Sequence, residues 1–185
     1  MDRGTENYGR YLGGDDSAFE EIVREYKDGL MLYINSFTHD IFAAEELMQE
    51  VFVRLAVKKP KFRRESLFKT WLYASGRNAA IDYIRKRSKV SDTSAEKFES
   101  VLHEEETVEK AYLLEERKIM LHSAMKKLKT EYLQVLYLVY FEEFSNEQTA
   151  RIMKKSKRQV ENLLYRAKSA LKEKLEKEGF EYEIL

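Results

Sequence analysis

Residues 68–87 read FKTWLYASGRNAAIDYIRKR, and two different side-chain patterns run through this stretch. Apolar residues recur every three or four positions, the spacing of one face of a helix: Phe68, Leu72, Ala79, Ala80 and Ile84. A second stripe, at steps of four and three residues, mixes an indole with hydrogen-bonding groups: Trp71, Ser75, Asn78, Asp82 and Arg85. The stretch therefore predicts a helix over roughly residues 67–87, with one buried face and one aromatic and polar face.

Aromatic and basic side chains concentrate in this helix and in the preceding loop, KKPKFRRES, which holds the only proline of the chain, Pro60. The aromatic residues are Phe62, Phe68, Trp71 and Tyr73, and the basic ones are Arg63, Arg64, Arg77, Arg85, Lys86 and Arg87. Aromatic faces beside cations suit single-stranded nucleic acid, because bases stack on the rings while phosphates attract the cations. The alternative is that Phe68 and Tyr73 are core residues and the arginines merely solvated. The spacing favours the core for Phe68 and a functional role for Trp71.

The segment before this loop predicts two more helices. Ser17, followed three residues later by Glu20, is typical of a capping box, so we expect a helix to begin there. A second helix over about residues 40–57 buries an apolar stripe and leaves a polar face: Glu45, Glu46, Gln49 and Glu50. Such carboxylates can bind a metal ion or act as an acid–base pair. No two histidines of the chain lie at the spacing of metal ligands, which argues against a metal site. An acidic helix face fits a protein partner better.

Residues 89–107 are rich in serine and acidic residues and lack a helical period, which is typical of a linker. Seven glycines and one proline supply little turn chemistry for hairpins, so the fold should be all-α. We therefore expect two small helical domains, over residues 8–88 and 108–178, joined by a flexible acidic linker over residues 89–107.

The second domain contains two further capping boxes, Ser145 with Gln148 and Ser156 with Gln159. They predict a short helix over residues 146–153, a tight connection, and a longer basic helix. This order is typical of a helix-turn-helix, whose second helix enters the major groove of DNA. The candidate DNA-contacting residues are Ser156, Lys157, Arg158, Gln159, Glu161, Asn162, Tyr165 and Arg166. A lysine-rich structural hairpin has the same pattern, so the motif alone leaves both interpretations open.

The net charge is zero, yet the charges fall into blocks. Residues 1–58 carry a net charge of −6, residues 61–89 carry +7, residues 92–116 carry −7, and residues 151–177 carry +7. Two basic blocks separated by an acidic segment indicate two DNA-facing surfaces on one chain. The acidic segment between the two basic blocks also suggests that it masks their DNA-facing surfaces in the free protein.

The composition excludes several classes of function. The absence of cysteine excludes disulfides, cysteine-ligated zinc and thiol nucleophiles. No glycine-rich phosphate loop or nucleophile motif is present, so we expect no cofactor, no metal and no enzymatic activity. The first residues have no signal-peptide pattern and no stretch is apolar enough to span a membrane, which predicts a cytoplasmic protein without membrane insertion.

Three stretches, in order, resemble the extracytoplasmic-function (ECF) sigma factors of the sigma-70 family. EELMQEVFVRL, Glu45–Leu55, is similar to that family's polymerase-binding helix, and residues 68–87 are similar to the rest of region 2. LKTEYLQVLYLVYFEEFSNEQTARIMKKSKRQVENLLYRAKSAL, Leu128–Leu171, is similar to region 4. The resemblance covers nearly the whole chain.

The resemblance implies a role for each matched group of residues. Those expected to bind core RNA polymerase, on the clamp coiled coil of its largest subunit, are Glu45, Glu46, Gln49, Glu50 and Phe52. Those expected to melt and read the minus-10 promoter element are Phe62, Arg63, Arg64, Trp71, Arg77, Asn78, Asp82, Arg85, Lys86 and Arg87. The helix-turn-helix residues from Ser156 to Arg166 would read the minus-35 element. The resemblance also implies an anti-sigma factor as partner.

The sequence departs from the family's usual pattern at several positions. Lys129 replaces a proline, Thr149 an isoleucine and Lys154 a turn glycine, while Glu161 stands where lysine is frequent. Ser75 and Gly76 replace the usual apolar residue and alanine, a change expected to loosen that helix. The expected function is promoter-directed transcription initiation with core polymerase. Two alternatives are a free-standing helix-turn-helix regulator that needs no polymerase and a helical scaffold with no nucleic-acid role.

Overall fold

The computed structural model describes residues 3–62, 67–90 and 120–177, and every regular element within those ranges is helical. In chain order the helices are α1 (Arg3–Leu12), α2 (Asp16–Thr38), α3 (Ile41–Lys58), α4 (Leu67–Val90), α5 (Thr130–Leu136), α6 (Asn146–Met153) and α7 (Lys157–Lys177). Residues 120–126 are helical too, and a π-helical turn, Tyr137–Phe141, extends α5. The prediction of an all-α protein with two helical domains is confirmed. The linker predicted for residues 89–107 lies almost wholly outside the described residues.

The first half of the protein is a bundle centred on α2, which packs against α1, α3 and α4. Its core contains fully buried residues from three helices, among them Ile22, Leu30, Leu55, Phe68 and Leu72. Burial of one such side chain contributes roughly 1.5–3 kcal/mol. Ile84, which the apolar stripe assigned to this core, is instead exposed, while its neighbour Tyr83 packs against the core.

Helix α1 was not predicted from the sequence. It contains two glycines, which are poor helix formers, so its stability comes from packing rather than from propensity. Its buried tyrosines, Tyr8 and Tyr11, contact Phe62, Phe68 and Phe19. Two tyrosines three residues apart were the only sequence signal for this helix.

The helix starts follow the predicted capping in two of three cases. Ser145 and Gln148 exchange both capping-box hydrogen bonds, and Ser156 and Gln159 do the same. The box predicted at Ser17 is wrong: α2 begins earlier, at Asp16, and the Ser17 hydroxyl donates to the Asp15 carboxylate at 2.6 Å. The Ser17 hydroxyl is therefore bound to the Asp15 carboxylate and does not cap the backbone amides of the helix.

The second half packs the segment 120–126, α5, α6 and α7 around a core that includes Val135, Leu138, Ile152 and Val160. Tyr140, which a regular helical period would place on the same face as the buried Leu136, is 52% exposed. The cause is the π-helical turn, which holds more residues per turn than an α-helix and so rotates the residues after Tyr137 away from a regular 3.6-residue period.

The two halves also touch each other, since α5 contacts α2 and α6 contacts α4. Within the described ranges, no helix combines the length and the apolar character needed to cross a membrane.

Candidate protein and nucleic-acid interfaces

Helix α3 presents an acidic and apolar surface. Asp40 fixes its start by accepting hydrogen bonds from the backbone amides of Phe42 and Ala43. The predicted docking residues Glu45, Glu46, Gln49 and Glu50 are all exposed.

Two valines on the same surface were missed by the sequence reasoning: Val53 is 61% exposed and Val57 is 77% exposed. They line a shallow depression together with Glu46, Gln49, Glu50, Arg54 and Lys58. Exposed apolar side chains rimmed by polar groups are typical of a protein docking surface. The available signal was a pair of valines, four residues apart, off the buried stripe.

Phe52 is the exception among the predicted docking residues. It is 5% exposed and its ring meets Phe19 edge-to-face, with centroids 6.5 Å apart. The assignment of Phe52 to the docking surface is therefore corrected, because its place on the apolar stripe of α3 turns it into the core.

Phe62 and Trp71 form the aromatic part of the second candidate surface. Both are partly buried, and their rings meet edge-to-face with centroids 5.9 Å apart. Phe62 is held from below by Tyr8 and Phe68, at 5.3 Å and 5.8 Å between centroids. Phe68 and Tyr73 are fully buried, which settles the alternative for these two residues in favour of the core.

The polar stripe of α4 divides along its length. Ser75 is buried and Asn78 is half-buried, whereas Asp82, Arg85, Lys86 and Arg87 are exposed. Arg85 lies 3.9 Å from Asp82, a contact too long and too exposed to hold either side chain firmly. Arg87 lies 3.7 Å from Asp40 and donates a hydrogen bond to the Tyr83 hydroxyl at 3.3 Å. The exposed end of α4 is therefore a cationic surface suited to a phosphate backbone.

Arg77 is placed differently from the other predicted minus-10 residues. It is half-buried, and its Nε is fully buried with no hydrogen-bond partner among the described residues. Its charge acts on the buried Tyr33, whose pKa is nevertheless raised because burial outweighs the nearby cation. Arg63 and Arg64, also predicted at this surface, lie outside the described residues.

Helix α7 supplies the third candidate surface. Lys157, Arg158, Glu161, Asn162, Tyr165 and Arg166 are all exposed, on the side away from Val160 and Ala167. Ser156 and Gln159 are exposed too, but both side chains are occupied in the capping box. Lys157 pairs with Glu147 of α6, which raises the pKa of the lysine and lowers that of the glutamate. This contact links the two helices of the helix-turn-helix.

Two sequence families match the chain: Sigma-70 region 2 over residues 10–90 and Sigma-70 region 4 over residues 118–171. The RNA polymerase sigma-H factor of Pseudomonas aeruginosa is 30% identical over 175 residues, which cover 90% of this chain and 91% of that protein. The ECF RNA polymerase sigma factor SigM of Bacillus subtilis is 30% identical over 153 residues, covering 83% and 92%.

The chain belongs to the ECF group of the sigma-70 family.

A solved structure agrees with the sigma-factor fold. The sigma factor RpoE of Bartonella quintana, in complex with the anti-sigma factor NepR, superposes with a TM-score of 0.70 at 23% identity. The superposition covers 85% of this chain and 96% of the other. The sigma factor described here thus carries region 2 on α2–α4 and region 4 on α5–α7, and the hypothesis of a free-standing regulator is not favoured.

Two departures from the family pattern have structural consequences in this sigma factor. Lys154 ends α6 in the left-handed conformation, with φ 55° and ψ 46°, where a glycine would avoid steric strain. Gly76 lies where α4 crosses α2 closely, and a Cβ there would stand 2.8 Å from Leu30 Cδ1. Glycine at this position therefore permits close helix packing.

Proposed function

We propose that this sigma factor docks on core RNA polymerase through α3, captures the melted minus-10 strand on α4 with Phe62, and reads the minus-35 element with α7. The observation that carries the proposal is the presence on one chain of three exposed surfaces of different chemistry. One is acidic and apolar, one is aromatic and cationic, and one is a basic helix that follows a tight turn.

The α3 surface supports polymerase docking. The acidic residues Glu46 and Glu50 flank the exposed Val53 and Val57, so the surface offers both charge complementarity and apolar burial to a partner. The family resemblance assigns this partner to the clamp coiled coil of the polymerase. Free-standing DNA binding does not require such a surface.

The aromatic and cationic surface supports capture of single-stranded DNA. The half-exposed ring of Trp71 is braced by Phe62, and the exposed cations Arg85, Lys86 and Arg87 follow along the same helix. A base that leaves the duplex gains roughly 1–3 kcal/mol by stacking on such a ring. The stacked base stabilises the opened strand without any covalent chemistry, so no catalytic group or cofactor is required.

The basic helix supports duplex reading. Arg158, Asn162 and Arg166 are exposed on the outer face of α7, which begins just after the capping box at Ser156. Exposed cations supply salt-dependent affinity through phosphates. The carboxylate of Glu161, in the middle of this face, repels phosphates and so restricts where the helix can dock on DNA.

An anti-sigma factor is the further partner that we propose, since the Bartonella quintana relative of similar fold is bound to one. The cytoplasm, where polymerase and chromosome meet, is the proposed location. The test is run-off transcription with core polymerase from the host that carries the gene, on genomic fragments. We expect discrete transcripts only when the sigma factor is added. Identical transcripts with and without it would contradict the proposal, and sequence-specific duplex binding without polymerase would favour the regulator.

A further inference from the structure

Region 4 inserts a short segment, residues 137–144, into region 2. The segment starts with the π-helical turn, in which the Glu142 amide donates to the Tyr137 carbonyl at 3.1 Å. Glu143 follows in the left-handed conformation, with φ 55°, and reverses the chain so that Phe144 turns inward and is buried. Both features are rare for ordinary residues, and π-helical turns are frequent at functional sites.

Glu142 makes the central contact. The Lys69 ammonium of α4 donates to the Glu142 carbonyl at 2.8 Å and lies 3.2 Å from its carboxylate. The side chains are 25% and 12% exposed, so water and salt screen this pair less than a surface pair. The carboxylate sits in a notch above Gly29, where a Cβ would collide with Glu142 Oε1 and stand 2.7 Å from the Tyr73 hydroxyl.

Aromatic contacts surround this ion pair. Phe144 meets Tyr73 edge-to-face at 5.1 Å between centroids, and Lys69 Nζ lies 4.8 Å above the Phe144 ring. On the other side Tyr137 stacks on Tyr33, and its hydroxyl donates to the Gly29 carbonyl at 3.3 Å. Charge, hydrogen bonds and ring contacts therefore all join the same two surfaces.

This closed arrangement is too small for a promoter. Elements at minus-35 and minus-10 lie about 25 base pairs apart, or about 85 Å along the duplex at 3.4 Å per base pair. A folded chain of about 185 residues has a radius of gyration of about 16 Å, hence a diameter of about 40 Å. The two DNA-facing surfaces cannot reach both elements unless region 4 leaves region 2.

We propose that residues 137–144 are an intramolecular latch, which docks region 4 in the Gly29 notch of region 2 and holds the free sigma factor closed until polymerase and promoter separate the two halves. The regulatory part of this inference rests on the proposed function. When the open form is a minor population, apparent promoter affinity falls by the fraction that is open. A closed form in about tenfold excess would raise the concentration for half-maximal binding about tenfold.

The test measures the distance between the halves in the free, full-length protein. The chain has no cysteine, so cysteines at the exposed Glu25 and Glu176 accept a fluorophore pair without other changes. We expect Glu142→Lys and Lys69→Glu each to lengthen the distance, and the double variant Lys69→Glu/Glu142→Lys to restore most of the closed population. Thermal unfolding of every variant checks that both halves stay folded.

The matched control is Glu143→Lys, which makes the same charge change on the neighbouring exposed residue. It should stay closed. The latch is overturned if Glu142→Lys keeps the wild-type distance, if Glu143→Lys opens the protein equally, or if the double variant stays as open as the single ones. These distances need no polymerase, so a sigma factor that opens as expected but directs no transcription would contradict the proposed function and not the latch contact.

Discussion

The Tyr8 hydroxyl donates a hydrogen bond of 2.8 Å to the carbonyl of Pro60, which ties α1 to the loop that carries Phe62. The Tyr8 ring also stacks on Phe68 at 5.2 Å, and burial raises the pKa of its hydroxyl to about 12. Helix α1 thus supports the aromatic surface from behind, although none of its residues lies in that surface.

Tyr8→Phe should slow promoter opening severalfold while leaving minus-35 duplex binding unchanged. The substitution keeps the ring and removes one hydrogen bond, which contributes roughly 0.5–1.5 kcal/mol. A fluorescent base in the minus-10 element reports the opening rate. The control is Tyr11→Phe on the same helix, since that hydroxyl donates at 3.4 Å to Ala56 inside α3 and not to the loop. Equal slowing by both variants would mean that α1 acts only through stability.

Trp71→Ala should impair strand capture more than duplex binding. Loss of one stacked base costs roughly 1–3 kcal/mol, or about 5-fold to 150-fold in affinity for a melted minus-10 strand. Anisotropy with single-stranded and duplex probes, in the presence of core polymerase, separates the two effects. Trp71→Phe keeps a stacking face and should retain most of the affinity. A parallel loss on both probes would count against stacking.

Glu46→Lys/Glu50→Lys should weaken binding to core polymerase at least tenfold, because it reverses two charges beside the exposed Val53. Competition with a labelled wild-type sigma factor measures the affinity. The control, Glu20→Lys/Glu25→Lys, makes the same charge change on exposed residues of α2. Unchanged affinity of the first variant would contradict a role of the α3 surface in binding core polymerase.

Glu161→Lys should raise non-specific DNA affinity and steepen its dependence on salt. Replacing a carboxylate by an ammonium adds about one phosphate contact, and each contact adds about 0.9 to the slope of log affinity against log salt. Duplex binding at several salt concentrations gives the slope. Glu176→Lys, near the end of the same helix, should change it less if α7 docks by its first turns.

Lys154→Gly should stabilise the protein by about 1 kcal/mol, because glycine adopts the left-handed conformation at the end of α6 without steric cost. Lys154→Ala removes the same charge but keeps a Cβ, so it should bring no such gain. Urea unfolding measures both. Equal stability of the two variants would show that the strain at this residue is negligible.

Periodicity was sufficient to predict the helices that pack by regular apolar stripes. The range 146–153 was predicted residue for residue, because capping chemistry at Ser145 and a tight turn at Lys154 mark its two ends. Helix α1 was missed because its stability comes from distant aromatic contacts. The exposure of Tyr140 could not be predicted, because the π-helical turn before it has no signature in the sequence.

The sequence predicted the chemical character of each candidate surface, but only part of the residues that form it. The acidic residues of α3 and the basic residues of α7 lie where spacing placed them. Phe52 is instead buried, because a shift of one position along a helix moves a side chain from the surface to the core. The contact between Lys69 and Glu142 joins residues far apart in the chain and follows from no local pattern.

Permanganate modifies unpaired thymines and therefore reports whether this sigma factor opens the minus-10 element. We expect reactive thymines across the minus-10 element only when core polymerase and this sigma factor are both present, with a marked loss for Trp71→Ala and near-normal reactivity for Trp71→Phe. A promoter that stays duplex with the complete holoenzyme, or opens equally well with Trp71→Ala, would contradict this expectation.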